Sequence, residues 1–147
     1  MNILYLSHRI PYPPDKGDKI RSFHQIQCLS QRHRLHVGCL VDAQEDLSHV
    51  PALSRYCASL DAVYRSKPSS YAKALFALPG SRSLSVAAFH SAELARRVRR
   101  VLATGRIDLA IIYSSAMAQY LPRETEFPVV VDFVDVDSEK WRVYAAF

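Results

Sequence analysis

"NILYLS" (2–7) running into "HRIPYPPDKGDKIRSFHQI" (8–26) decides how this chain is read. The first six residues form a compact apolar run, the pattern of a strand buried on both faces. The loop behind it sets Pro11, Pro13, Pro14 and the lone Gly17 ahead of a helical repeat. Ile20, Phe23, Ile26 and Leu29 recur at helical spacing, which predicts a helix over 19–32 with Asp18 as its N-cap. Strand, stiff loop and helix open an α/β chain. A loop in that place often handles phosphate.

The same unit repeats outward from that start. "LHVGCLVD" (35–42), "LDAVYRS" (60–66), "IDLAIIYS" (107–114) and "FPVVVDFV" (127–134) read as four further buried strands. Between them, 46–57 predicts a short helix broken near Pro51, 69–80 a mixed helix or loop, and 115–121 a short helix. The strongest helix is predicted over 85–104. There Leu94, Ala95, Val98, Val101 and Leu102 share one arc, and the four arginines of "RRVRR" (96–100) fall opposite. Strands and helices alternating at this spacing predict a Rossmann-like three-layer α/β domain with a mainly parallel sheet. "DSEKWRVYAAF" (137–147) opens like a capped helix and stops without a closing signal, as expected of a truncated domain.

Bulk properties narrow the function classes. The 147 residues are 49% hydrophobic and 22% charged, the balance of one globular domain and not of a disordered chain. The net charge is +5, spread along the chain apart from "RRVRR". An anionic partner fits this excess, but aromatics do not gather with it as in a nucleic-acid reader, so none is expected. Cys28, Cys39 and Cys57 form no CxxC pair and read as reduced, buried thiols of a cytoplasmic protein. No basic leader with an apolar core stands at the start. No run nears the roughly 20 apolar residues of a membrane span, so membrane contact would be peripheral.

In an open α/β sheet, ligands bind beyond the C-terminal ends of the strands. Segments 7–18, 114–116 and 132–138 should meet there. Neither GxGxxG nor GxxxxGK[ST] is present, which argues against dinucleotide and P-loop chemistry. What remains is a proline-stiffened arm delivering Gly17 to a helix N-terminus, with Arg9, Lys16, Lys19 and Arg21 adding positive potential. The competing reading is a solvated connector. Asp132, Asp135 and Asp137 crowd the end of the fifth strand, where they could bind hydroxyls, or Asp137 and Ser138 could simply cap a helix. A metal site is the weakest of these readings. The six histidines show no metal spacing, and "RRVRR" is either a solvated helix face or a patch for an anionic membrane.

"MNILYLSHRIPYPPDKGDKIRSFHQIQCLS", "HRLHVGCLVD", "YSSAMAQYL" and "VVVDFVDVDSEKW" together resemble the retaining family-4 glycosyltransferases of the GT-B fold. The closest subgroup is the one associated with exopolysaccharide and PEP-CTERM/exosortase gene clusters. The resemblance implies that residues 1–147 are the N-terminal, acceptor-side Rossmann-like domain of a two-domain enzyme. The donor-binding C-terminal domain would be absent, since no two glutamates here reproduce that domain's paired-glutamate signature. It implies transfer of a sugar from a nucleotide-sugar co-substrate to a glycan or lipid-linked acceptor, without a metal or other cofactor. It also implies a cytoplasmic protein, peripheral at the inner membrane.

By position, Arg9, Gly17, Asp18, Lys19, Arg21, Asp132 and Ser138 become the substrate and donor-phosphate contacts. Asp135 becomes the catalytic candidate, in a region where many relatives carry histidine. Many relatives have Gly-Gly where this chain has Gly17-Asp18, so the approach to phosphate differs here. The alternative is a stand-alone Rossmann-like module that binds a phosphorylated ligand or a protein partner.

Overall fold

The computed structural model describes residues 1–65 and 84–134. The expectations for 69–80 and for the helix from Asp137 onward lie outside the described residues. The order along the chain is β1 (Asn2–Ser7), α1 (Gly17–Ser30), β2 (Arg34–Val41), a 3-10 turn (Gln44–His49) and α2 (Val50–Ser54). Then come β3 (Ser59–Tyr64), α3 (Leu84–Ala88), α4 (Ala92–Thr104), β4 (Leu109–Tyr113), a second 3-10 turn (Ser115–Tyr120) and β5 (Val129–Asp132). All the strand pairs are parallel, in the order β3-β2-β1-β4-β5. This is a Rossmann-like α/β domain. The order reverses between β1 and β4, so the crevice at their C-terminal ends is the topological switch point.

Strand alternation builds two cores. Ile3 and Tyr5 of β1, Leu35, Val37, Cys39 and Val41 of β2, and Tyr113 of β4 face Phe23 and Ile26 of α1. Leu4, Leu6, Leu40, Ala110 and Ile112 face Leu94 and Val98 of α4. Gly38 lets α4 approach closely: a Cβ there would lie 2.9 Å from Leu6 Cδ2 and 3.4 Å from Leu94 Cδ1.

Several elements differ from expectation. Helix α1 begins at Gly17, so Lys16 occupies the N-cap, without a side-chain cap bond, and Asp18 sits inside the first turn. The buried residues of α1 are Lys19, Ser22, Phe23 and Ile26, whereas Ile20 is exposed. As expected for 46–57, the stretch breaks near Pro51: the 3-10 turn ends at His49, and α2 begins at Val50 with Pro51 in its first turn, where its missing N–H costs nothing.

The helix expected over 85–104 is two helices. Ser91 caps α4 by accepting from Leu94 N, and the Tyr120 hydroxyl donates to Phe89 O while accepting from Ser91 N at 2.8 Å. These bonds satisfy the backbone groups freed at the break. Strand β5 is not fully buried as expected, because it forms a sheet edge and exposes Val129 and Val130. Cys39 is buried and Cys57 half-buried, but Cys28 is exposed on α1. Burial pushes the Cys57 thiol up to about 12, which leaves it unreactive. Among the described residues, no helix is long and apolar enough to cross a membrane.

Candidate functional site at the switch point

The parallel sheet gathers the C-terminal ends of its strands on one edge, and the described parts of the three expected segments meet there. Tyr113, closing β4, donates its hydroxyl to Asp18 O at 3.0 Å. Ser114 N donates to Asp132 O at 2.9 Å. Two residues on this edge adopt positive φ without being glycine, Ser114 at 79° and Val134 at 66°. Such backbone costs about 1–3 kcal/mol and persists where its surroundings hold it in place. The Asp132 carboxylate contributes by accepting from Val134 N at 3.0 Å.

The predicted residues fall into three groups. In the first, Arg9 joins two carboxylates, with Nη1 3.2 Å from Asp18 and Nε 3.2 Å from Asp42. Asp42 in turn binds Arg65 at 2.6 Å. Arg65 also donates to Ala88 O and lies over the Phe89 ring. His8 stacks on Tyr113 with centroids 6.0 Å apart, meets Phe89 edge-on, and points Nε2 at Asp18 from 3.6 Å. Its Nδ1 is buried and makes no hydrogen bond of good geometry among the described residues. Burial chiefly, and then the Arg9 charge, lower the His8 pKa; Asp18, the Tyr113 main chain and Asp42 oppose them. Neutral imidazole is the outcome.

In the second group, Lys19 is buried and its ammonium lies 3.6 Å from Asp15 and 3.4 Å from Asp46. A recess of about 110 Å³ opens here between Arg9, Lys16, Lys19, Asp42, Ala43 and Asp46. At about 30 Å³ per water, that is room for a few hydroxyl groups and not for a nucleotide. In the third group, Arg21 pairs with Asp132 at 2.8 Å, and Gln25 bridges the Tyr5 hydroxyl (2.7 Å) to Asp132 (3.4 Å). Burial drives the Tyr5 hydroxyl pKa far above its ordinary value, so it serves as a neutral donor.

Gly17 lies at the mouth of this edge, and a Cβ there would meet nothing within 4 Å. The fold itself does not demand glycine at that position. Asp135 and Ser138 lie outside the described residues, as does Asp137. Among the described residues, no three His, Cys, Asp or Glu side chains converge to hold a metal. A larger hollow of about 640 Å³ lies beside Leu102, Arg106, Asp108, Glu124 and Phe127. It sits at the N-terminal ends of β4 and β5, the wrong edge for a ligand site in this fold.

Sequence reasoning placed His8 near this edge within segment 7–18, but missed Asp42, Arg65 and Tyr113 as members of it. Position held the signal: Asp42 follows β2, Arg65 follows β3, and His8 follows β1. In a parallel sheet, the first residue past each strand belongs to the binding edge whatever its local motif.

The pairing has an electrostatic consequence. Arg9, Lys19 and Arg21 are each held by carboxylates. Arg9, Lys16, Lys19, Arg21 and Arg65 are matched in number by Asp15, Asp18, Asp42, Asp46 and Asp132. Such an edge presents alternating donors and acceptors and little net charge. Fold and edge together define an α/β Rossmann-like domain with an ion-paired polar rim at its switch point. Compared with protein-family models, curated proteins and solved structures, the chain matches none of them.

Proposed function

We propose that the chain is the acceptor-binding domain of a retaining glycosyltransferase. Such an enzyme passes a sugar from a nucleotide-sugar to a glycan or lipid-linked acceptor in exopolysaccharide synthesis. The resemblance of the Gly17 loop and the Asp132–Trp141 segment to family-4 transferases motivates the reading. One observation carries it: Arg9, Lys19, Arg21 and Arg65 of the rim are each paired with aspartate. Sugar hydroxyls both donate and accept, so they suit a rim of matched charges. A phosphate would have to compete with carboxylates already seated on Arg9, Lys19 and Arg21, which weighs against the alternative of a phosphate-binding module.

In this reading the chain's own residues bind and orient. Asp18, Asp42 and Asp132 accept from acceptor hydroxyls, and Arg9 and Arg21 donate to them while staying fixed by their carboxylate partners. Gly17 leaves open space through which the acceptor reaches the cleft. Neutral His8 donates or accepts one hydrogen bond beside Asp18. Asp135 stands next along the chain from this rim and is the candidate for contact with the attacking hydroxyl. Departure of the nucleoside diphosphate would be supported from a donor domain.

The test is glycosyl transfer by the protein as encoded, across a panel of nucleotide-sugars. Arg21→Ala and Asp135→Ala are run beside it. Loss of transfer in both, with the fold intact, supports the assignment. Unchanged transfer in both removes it. For the chain alone, amide chemical shifts on titration with neutral oligosaccharides should move at residues 8–21 and 132–134, and inorganic phosphate should move them less.

A further inference from the structure

The charge balance of the rim leaves the basic excess of the protein elsewhere, and among the described residues α4 concentrates it. Taking Leu94 and Val98 as the inward direction, Arg96, Arg99 and Arg100 lie within an arc of about 100° on the opposite side. Ala92 and Ala103 fill the rest of that arc, and all five are exposed. Arg96 is tied to Glu93, and Arg97 turns sideways to Glu93 and Asp61. Neither Arg99 nor Arg100 has a carboxylate partner among the described residues. Arg106, past the end of α4, is also exposed. At about 1.5 Å per residue, the stripe from Ala92 to Ala103 is about 17 Å long.

We propose that the outer face of α4 is an electrostatic docking surface for an anionic lipid bilayer. The occupant follows from what the stripe contains and lacks. Its cations lie together on one helix face, with alanine at either end of the stripe, whose small side chain leaves the guanidinium groups free to reach a flat surface together. Arginine's planar fork suits phosphodiester headgroups. No aromatic side chain stands among these arginines to stack on a base, and no amide stands there to read one. No large apolar residue stands there either. Contact is therefore with headgroups alone, reversible, and weakened by salt within about 10 Å of screening at 0.1 M.

The experiment is co-sedimentation of the chain with vesicles of phosphatidylglycerol mixed into phosphatidylcholine, and with phosphatidylcholine alone, at low and high salt. Binding is expected only to the mixed vesicles and mainly at low salt. Each of Arg99→Gln and Arg100→Gln should weaken it about fivefold, and the pair about 25-fold. The control pair Arg32→Gln with Arg55→Gln makes the same change in net charge at exposed sites that follow α1 and α2, on the other face of the sheet from α4, and should leave most binding in place. An equal loss in the control pair would show a response to net charge and overturn the surface assignment. Equal binding to neutral vesicles would overturn it too. So would binding to a duplex oligonucleotide, lost in Arg99→Gln/Arg100→Gln, with no binding to vesicles. Thermal unfolding of both pairs confirms that each variant is folded. Sugar transfer enters none of these readouts, so this proposal and the glycosyltransferase reading can fail independently.

Discussion

The loop after β1 and the outer face of α4 are the two cation-rich stretches of the described chain, and they differ in what surrounds each cation. Arg9 touches Asp18 and Asp42, Lys19 touches Asp15 and Asp46, and Arg21 touches Asp132. Arg99 and Arg100 touch no carboxylate among the described residues. Written as letters the two stretches look alike, yet one is a charge-neutral rim and the other a field facing solvent. A cation's partners, set by the topology, decide whether it attracts an anion or holds a carboxylate in place.

The largest test of that contrast is Asp42→Ala. Asp42 accepts from Arg9 and Arg65 and is mostly enclosed. Its removal leaves two guanidinium groups short of a partner at once. The expected loss is about 2–3 kcal/mol in urea unfolding, together with a gain in affinity for inorganic phosphate as Arg9 keeps only Asp18 of its two carboxylates. A loss under about 0.5 kcal/mol, the scale of an ordinary surface change, would mean that the rim is not held by its ion pairs.

Next in size is the pH dependence set by His8. Its folded pKa lies below the ordinary 6.5, so on acidification the unfolded chain takes up the proton first. Stability is therefore full above about pH 6.5 and falls as pH drops from there toward the folded value. His36 is shifted the same way by burial and the neighbouring Arg34 charge, so it contributes to the same slope. Thermal melts from pH 7.5 down to about 5 should show this fall, and His8→Phe should flatten it in part. A His8→Phe profile parallel to that of the parent would remove His8 from the account.

Much of the architecture was readable in the sequence because it rests on local patterns. All five strands stand where the apolar runs lie, and the parallel order follows from the helices between them. What could not be read were features that depend on distant partners. The break at Phe89–His90 is stabilised by the Tyr120 hydroxyl, about thirty residues on, so the helical periodicity of 85–104 ran straight through it. Lys19 looked like a free cation for phosphate, and only the fold brings Asp46 to it. Asp42 and Arg65 carried no motif and became visible once the strand order put their ends on one edge. In the proposed site, Asp135 and Ser138 depend on resemblance alone.

Gly17→Ala separates fold from function with a smaller effect on stability. A Cβ at this position meets nothing within 4 Å, and the residue opens a helix. Alanine should therefore be neutral or stabilising by about 0.4–1 kcal/mol, through the unfolded chain. Transfer by the encoded protein should nevertheless fall about tenfold if an acceptor passes close to this backbone, as a methyl group in its path costs on the order of 1.4 kcal/mol. An alanine variant that is both stable and fully active would return the loop to the status of a connector.

The smallest expected effect on folding belongs to α4, and it is the sharpest test of the contrast. Arg99→Gln/Arg100→Gln removes two exposed charges, unpaired among the described residues, from the outside of a helix whose packing runs through Leu94 and Val98. Glutamine keeps the helix propensity of arginine within about 0.1–0.2 kcal/mol. Unfolding free energy should therefore stay within about 0.5 kcal/mol of the parent. Relief of like-charge repulsion between neighbours on one face pushes the change toward a slight gain, larger at low salt than at high. The paired cations of the rim predict the opposite sign: Arg9→Gln removes the guanidinium partner of Asp18 and one of the two held by Asp42, and should destabilise under the same conditions. Equal responses from the two sites would mean that proximity to a carboxylate is not what distinguishes them.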